Sequence, residues 1–213
     1  MQRRPRNNII IVFLVLTLSL PAFGYYSTFD TGEIVRPDQN QVGFETQFIM
    51  TSPTATNFMA HYDLGASESV NYKFLLGGGT RTVQAGGFIK YIPLPDYKYQ
   101  PAVGAIAGVI YANHQGSQAL GLRFHPLISK RLNAEEFGIF TPYVSTPFGI
   151  TFASLQTSYP SQFVLGSSWT MNNEDTAFRV IAEYGINMNA AFNYLTIGFT
   201  LPIDGTSTIS DTN

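Results

Sequence analysis

The 213-residue chain contains no cysteine. That excludes disulfides, thiolate metal sites and lipid attachment at a lipobox cysteine. Charge is scarce too. Asp, Glu, Lys and Arg make up 12% of residues, about half the usual quarter of a soluble domain. The three histidines offer no HxxxH pair, and neither Glu135–Glu136 nor the NNED run at 172–175 follows a calcium-loop pattern. No metal and no other cofactor is expected. Beyond residue 24 no apolar run approaches the ~20 residues that a membrane-spanning helix needs. What is plentiful is aromatic: 17 Phe and 12 Tyr against one Trp. With a mean hydropathy of +0.04, few charges and many aromatics fit a sheet with one apolar and one polar face.

The N-terminus has a different composition. MQRRPRNN is followed by twelve mostly apolar residues, IIIVFLVLTLSL, and then by PAFG. A basic region, a short apolar region and small residues near a cut read as a signal peptide, 1–24, cleaved after Gly24. The arginines are not followed by the rest of a twin-arginine motif, so the general secretory route is expected. Without Arg3, Arg4 and Arg6 the chain is net −5. A nucleic-acid binder would be expected to be basic, so no nucleic-acid partner is expected.

The mature chain alternates with period two, the signature of strands. In QVGFETQFIMT (41–51), Val42, Phe44, Phe48 and Met50 oppose Gly43, Glu45 and Gln47. In NFMAHYDL (57–64), Phe58, Ala60, Tyr62 and Leu64 oppose Asn57, His61 and Asp63. The same pattern recurs at 69–77, 119–125 and 177–187, and strand candidates 81–91, 102–112, 140–152, 162–170 and 191–201 complete a set of ten. Segment 102–112 is apolar on both faces. A tilted strand of roughly 9–11 residues crosses a bilayer, and lipid tolerates no open edge. The reading is therefore all-β: a closed antiparallel up-and-down transmembrane β-barrel of about ten strands, with eight as the alternative. It has a lead at 25–40, the barrel at 41–202 and a polar tail at 203–213.

The connections support ten. The odd ones (51–56, 77–80, 113–118, 154–161 and 188–191) carry no Asp, Glu, Lys or Arg, whereas the even ones (65–69, 92–101, 129–138 and 171–176) are all charged. In an even-stranded up-and-down barrel the even connections and both termini share one end. One end is thus acidic and the other nearly uncharged.

The run KFLLGGGTRTVQAGGFIK (73–90) has the look of a phosphate-binding loop, but such a loop opens a helix, and here TRTVQAGGFIKY alternates as a strand. The run reads as a hairpin. Gly77–Gly79 form its corner, where positive φ is expected, and Gly86–Gly87 mark a bend or bulge.

Signal peptide, alternating strands and aromatic ends together resemble the small outer-membrane β-barrel proteins of Gram-negative bacteria, over about residues 40–202. The resemblance implies residence in the outer membrane and both termini, with the lead, in the periplasm. It also implies outer-membrane lipids and the outer-membrane assembly machinery as partners. The chain departs from the pattern in two ways. It does not end on a strand-terminal aromatic residue, and its longest connections, 92–101 and 129–138, fall on the periplasmic side.

Strand parity points Glu45, Lys73, Arg123 and Glu183 inward near mid-height, with His61, Asp63, Lys90, His125 and Arg179 nearer the acidic end. These nine form a charge-balanced lumen network. It fills a structural barrel or lines a narrow pore, for which the inward Gly43, Gly104, Gly108, Gly121, Gly166 and Gly185 would leave space. Tyr91, Tyr97, Tyr99, Phe140 and Trp169 form an aromatic girdle toward the acidic end. Phe48, Phe58, Tyr111, Phe152, Phe163 and Phe192 form one toward the other end.

Catalysis would need a nucleophile, a base and an orienting group. His61 with Asp63, and His125 with Ser129, are the available pairs, and no lipase-like motif surrounds either, so no catalytic residue is expected. A lipid-modifying barrel enzyme, and a soluble periplasmic barrel binding an apolar ligand, are the alternatives.

Overall fold

The computed structural model describes residues 27, 29–37, 39–80, 82–114, 117–134, 137–153, 156–170 and 178–204. The signal peptide assigned to 1–24 and nearly all of the tail at 203–213 lie outside these residues. Among them there is no α-helix. Six uninterrupted strands come first: β1 (Gln39–Ile49), β2 (Ala55–Gly65), β3 (Val70–Gly79), β4 (Thr82–Leu94), β5 (Ala102–His114) and β6 (Ser117–Ser129). The two-residue strand β7 (Leu132–Asn133) pairs with β8 outside the ring. Two broken wall strands follow. One consists of β8 (Ile139–Ser145) and β9 (Phe148–Ala153), the other of β10 (Gln156–Ser158) and β11 (Ser161–Thr170). Strands β12 (Arg179–Asn189) and β13 (Tyr194–Asp204) complete the wall.

Every wall strand is antiparallel to its neighbours, and β1 pairs with β13 from Gln39↔Asp204 to Ile49↔Tyr194. The sheet therefore closes as a ten-stranded barrel with no free edge, the form that satisfies backbone groups without water.

The two breaks have a covalent cause. Pro147 separates β8 from β9 and Pro160 separates β10 from β11, and proline gives no N–H to a ladder. The register nevertheless continues across both gaps, through Gln156↔Ala153, Ser161↔Phe148 and Val164↔Ser145. Gly149 N–H donates to Pro160 O at 3.1 Å and Gln162 N–H to Pro147 O at 2.9 Å. The segment 154–161, read from sequence as a connection, is thus partly strand.

Two glycine expectations are corrected. Gly77 and Gly79 are strand residues, paired with Met59 and Asn57, and among the described glycines only Gly138 has a positive φ (92°). A Cβ at Gly77 would lie 2.3 Å from Met59 Sδ and 2.4 Å from Phe58 O, so closeness to β2, not turn geometry, calls for glycine. Gly86 and Gly87 pair regularly with Ile110 and Val109, and the irregularity of β4 falls between Tyr91 and Leu94, beside Pro93.

The faces separate as the alternation requires. Phe44, Phe58, Phe74, Leu76, Ile89, Leu122, Phe124 and Tyr184 point outward and are exposed, while the alternating partners are buried. The lumen is not purely polar. One apolar cluster (Met59, Leu75, Phe88, Ile92, Ala102, Ile106, Ile110, Leu127) fills the side under β2–β6, which explains why 102–112 reads as apolar on both faces. A second (Phe29, Tyr143, Val164, Ile181, Tyr194) lies opposite, with the half-buried Phe192 packed against it. Phe192 is therefore tied to the inner cluster and not to the girdle the sequence assigned it.

The inward glycines do not leave space. Four of them sit directly across the ladder from a ring: Gly43 from His61, Gly108 from Phe88, Gly166 from Tyr143 and Gly185 from Tyr194. Each ring leans over its glycine. A Cβ would lie 2.2 Å from Tyr143 Cζ at Gly166 and 2.1 Å from Tyr194 Cε1 at Gly185. Gly104 and Gly121 are covered by Ile92 and Arg123 in the same way. Overpacking of this kind costs about 1–3 kcal/mol. Gly166→Ala and Gly185→Ala are therefore expected to lower the urea midpoint of the protein in detergent. Gly87→Ala serves as the control, since its Cβ would meet nothing closer than Phe74 Cδ1 at 3.9 Å, and it should leave the midpoint nearly unchanged.

Candidate functional site

The central feature of the lumen is the segment just before β1. The sequence reading put 25–40 outside the barrel as a periplasmic lead. The described part, Ser27 and Phe29–Pro37, instead runs inside it as a strap. Ser27, Phe29, Asp30 and Thr31 are exposed by 1%, 1%, 4% and 0%. Burial then decreases until Arg36 and Pro37 are exposed at the charged end, where the chain turns into β1 through Gln39 N–H to Arg36 O at 2.9 Å.

The reason is visible in the charges of the wall. The predicted lumen residues are not charge-balanced by themselves, as the sequence reading has them: they carry four cations (Lys73, Lys90, Arg123, Arg179) against three carboxylates (Glu45, Asp63, Glu183). The strap supplies the missing acid. Asp30 bridges the two lysines, with Oδ2 3.2 Å from Lys73 Nζ and Oδ1 2.8 Å from Lys90 Nζ. Strap carbonyls take the remaining ammonium protons: Lys73 donates to Phe29 O at 3.1 Å, and Lys90 to Thr31 O at 3.4 Å and Glu33 O at 2.5 Å. Near the rim, Glu33 pairs with Arg179 at 2.7 Å and accepts a long bond from Thr141 Oγ1 at 3.4 Å.

Glu183, on the inner face of β12, binds the far end of the strap. Its Oε1 accepts from Ser27 Oγ at 2.5 Å and Tyr194 OH at 2.6 Å, and its Oε2 from Phe29 N–H at 2.7 Å and Tyr143 OH at 2.6 Å. Phe29 lies in the left-handed region, φ 39°, which costs a bulky residue about 1–3 kcal/mol. It is held there by those bonds and by its ring, which sits within the second apolar cluster and edge-on to His61 at 5.8 Å. Gly32 donates its N–H to Ser129 Oγ at 2.9 Å, and a Cβ there would lie 2.6 Å from both Ala102 Cβ and that oxygen.

The other predicted lumen residues are buried as well. Glu45, His61, Asp63, Lys73, Lys90, Arg123, His125 and Glu183 are exposed by 5% or less, and Arg179 is half-buried. Asp63 Oδ2 takes Gln41 Nε2 at 2.7 Å and lies 3.0 Å from His61 Nδ1. His61 Nε2 faces Gly43 and has no hydrogen-bond partner among the described residues. Arg123 donates to Thr151 Oγ1 at 2.8 Å and to Ile150 O at 3.2 Å, tying β6 to β9. Ser129, the sequence partner of His125, bonds the strap, and the His125 ring lies edge-on to Phe88 at 6.0 Å.

Outside the lumen, Tyr91, Tyr97, Tyr99 and Phe140 are exposed toward the charged end, and Phe48, Phe58, Tyr111 and Phe152 toward the other; Phe163 is half-buried there. Trp169 stacks on Phe140 at 6.4 Å and donates its indole N–H to Phe137 O at 2.7 Å. At the charged end Asp96 joins two connections, accepting from Lys130 Nζ and from Arg131 N–H. Slight burial opposes its ionisation, but these donors outweigh it and hold the carboxyl below its usual value. That contribution to stability is present above the ordinary carboxylate range and is lost as pH falls through the lowered pKa.

The strap makes Glu183 a direct test. Glu183→Gln keeps the shape but turns one acceptor into a donor, and hydrogen bonds to a charged group are worth about 1.5–3 kcal/mol each. The variant is expected to unfold at lower urea and to expose the strap to limited proteolysis in detergent. Unchanged protection and midpoint would mean that Glu183 does not anchor the strap.

No family model matches the chain, and no curated protein matches it. Solved structures do. A bacterial polysaccharide outer-membrane secretin is similar at 11% identity and TM-score 0.48, over 78% of this chain and 66%, just under two thirds, of that one. The β domain of the Bordetella autotransporter Brka is similar at 10% identity and TM-score 0.47, over 78% and 98%. An outer-membrane channel from Pseudomonas putida F1 is similar at 8% identity and TM-score 0.47, over 85% and 100%.

Proposed function

We propose that the protein is an integral outer-membrane β-barrel whose lumen is closed by its own strap, with a structural role in the envelope and no catalytic one. The observation that carries this is the partition of side chains. Every Asp, Glu, Lys and Arg whose side chain is described within a strand faces the lumen or its rim, whereas the outer faces present Phe, Leu, Ile, Val and Tyr. A soluble barrel would place its charges outside. A Lys or Arg at mid-bilayer on a lipid face costs about 2–4 kcal/mol, so this partition suits a hydrocarbon surround. Outer-membrane lipids and the assembly machinery are the partners that go with it, reached by the general secretory route after loss of residues 1–24. Between a filled barrel and a narrow pore, the strap and the rings over the inward glycines favour the filled one.

Membrane fractionation with heat-modifiable gel mobility tests the location; recovery in the soluble periplasmic fraction would overturn it. In planar bilayers the purified protein is expected to give no current steps, and large stable steps would overturn the closed lumen. Mass spectrometry of lipid A and phospholipids, with and without the protein, is expected to give one profile; an altered profile would favour the enzyme alternative.

A further inference from the structure

We propose that the lumen wall is a binding site for a peptide of the pattern Phe-Asp-x-Gly, and that the strap is its tethered ligand. This rests on the closed-barrel reading. The strap contacts are those of peptide recognition, in which main-chain bonds give affinity and side-chain pockets give specificity. The main chain of the strap offers carbonyls of Phe29, Thr31 and Glu33 to two lysines, and N–H groups of Phe29 and Gly32 to Glu183 and Ser129.

Three positions are read by shape or charge. The Phe29 ring fills a pocket between Tyr143, Val164, Ile181 and Tyr194. It reaches Gly198 so closely that a Cβ there would lie 2.6 Å from its Cζ. The Asp30 carboxylate spans Lys73 and Lys90, cations on adjacent strands, and lies closer to Lys73 than does the wall carboxylate Asp63, whose Oδ1 is 3.7 Å away. At position 32 only glycine fits between Ala102 and Ser129. The left-handed backbone at Phe29 has the same meaning, since a ligand residue adopts such a conformation only where its surroundings over-determine it.

Wall and strap are separable in kind. The wall is closed by its own ladder from β1 to β13, and the strap adds no strand to it. Tethering raises the local concentration of the strap far above that of a free peptide, so a second peptide enters only once the tether is cut.

The test therefore uses the full folded chain with a protease site inserted after Pro37, cut in detergent after folding. A fluorescent peptide of residues 27–37 is added in excess and followed by anisotropy. Expected is saturable binding, weakened at least about tenfold by Phe29→Ala, Asp30→Asn or Gly32→Ala in the peptide. The cut barrel should keep its heat-modifiable mobility as the original strap exchanges out. Loss of that mobility on cutting would make the strap part of the core and overturn the proposal. Absence of exchange, or equal binding of all four peptides, would overturn it too. The uncut chain run alongside reports separately on the membrane-barrel reading, because its mobility and silence in bilayers do not depend on peptide exchange.

Discussion

The structure turns on one carboxylate. Glu183 receives four donors, two on each oxygen, from β8, from β13 and from the strap. A buried charge left partly bonded is strongly destabilising, while a fully bonded one is tolerable and restricts geometry. Here the restriction spans the lumen. Tyr143 and Tyr194 reach Glu183 by leaning over Gly166 and Gly185, so the spacing of four wall strands, the choice of glycine and the depth of the strap are all tied to a single acceptor. Asp30 does the converse for the opposite wall, where an anion from the strap meets cations from β3 and β4.

Those two acids explain how so much charge is held in so little space. The lumen is packed like the core of a soluble domain, with two apolar clusters, yet it also contains most of the ionisable side chains of the wall. Each cation sits against a carboxylate, a carbonyl or a hydroxyl. The exterior carries none of this burden, and its exposed rings contact one another instead, Phe44 with Phe199 at 5.6 Å and Phe124 with Phe148 at 5.3 Å.

Much of the wall was legible in the sequence because alternation is a local signal. The period-two pattern put Glu45, Lys73, Arg123 and Glu183 inside, and the absence of charge from alternate connections supported a count of ten. The strap was not legible in that way. Its ten described residues have no period, and one aromatic side chain among Ser, Thr, Asp and Gly reads as a loop. The signal lay in arithmetic over the whole barrel: the predicted lumen network has four cations against three carboxylates, and the lead before β1 carries three acids, Asp30, Glu33 and Asp38. The glycines misled for a related reason. Gly166 and Gly77 were read as space or as corners, because the neighbour that fills their missing Cβ is on another strand and register is not visible in one chain segment. Pro147 and Pro160 were plain in the sequence, but that their gaps fall opposite each other in one ladder depends on register too.

Strand β1 is both the first member of the wall and the seam partner of β13, the last. The strap is continuous with β1 at the charged end. The ring can therefore close only when the whole wall is present, and the segment that fills it is already held beside the closing seam. A chain that closes with the strap outside still has it poised at the one end through which it can be drawn in, toward two lysines on one wall and a carboxylate on the other. The order of the polypeptide thus places the segment that fills the lumen and the seam that closes the wall next to each other in the chain.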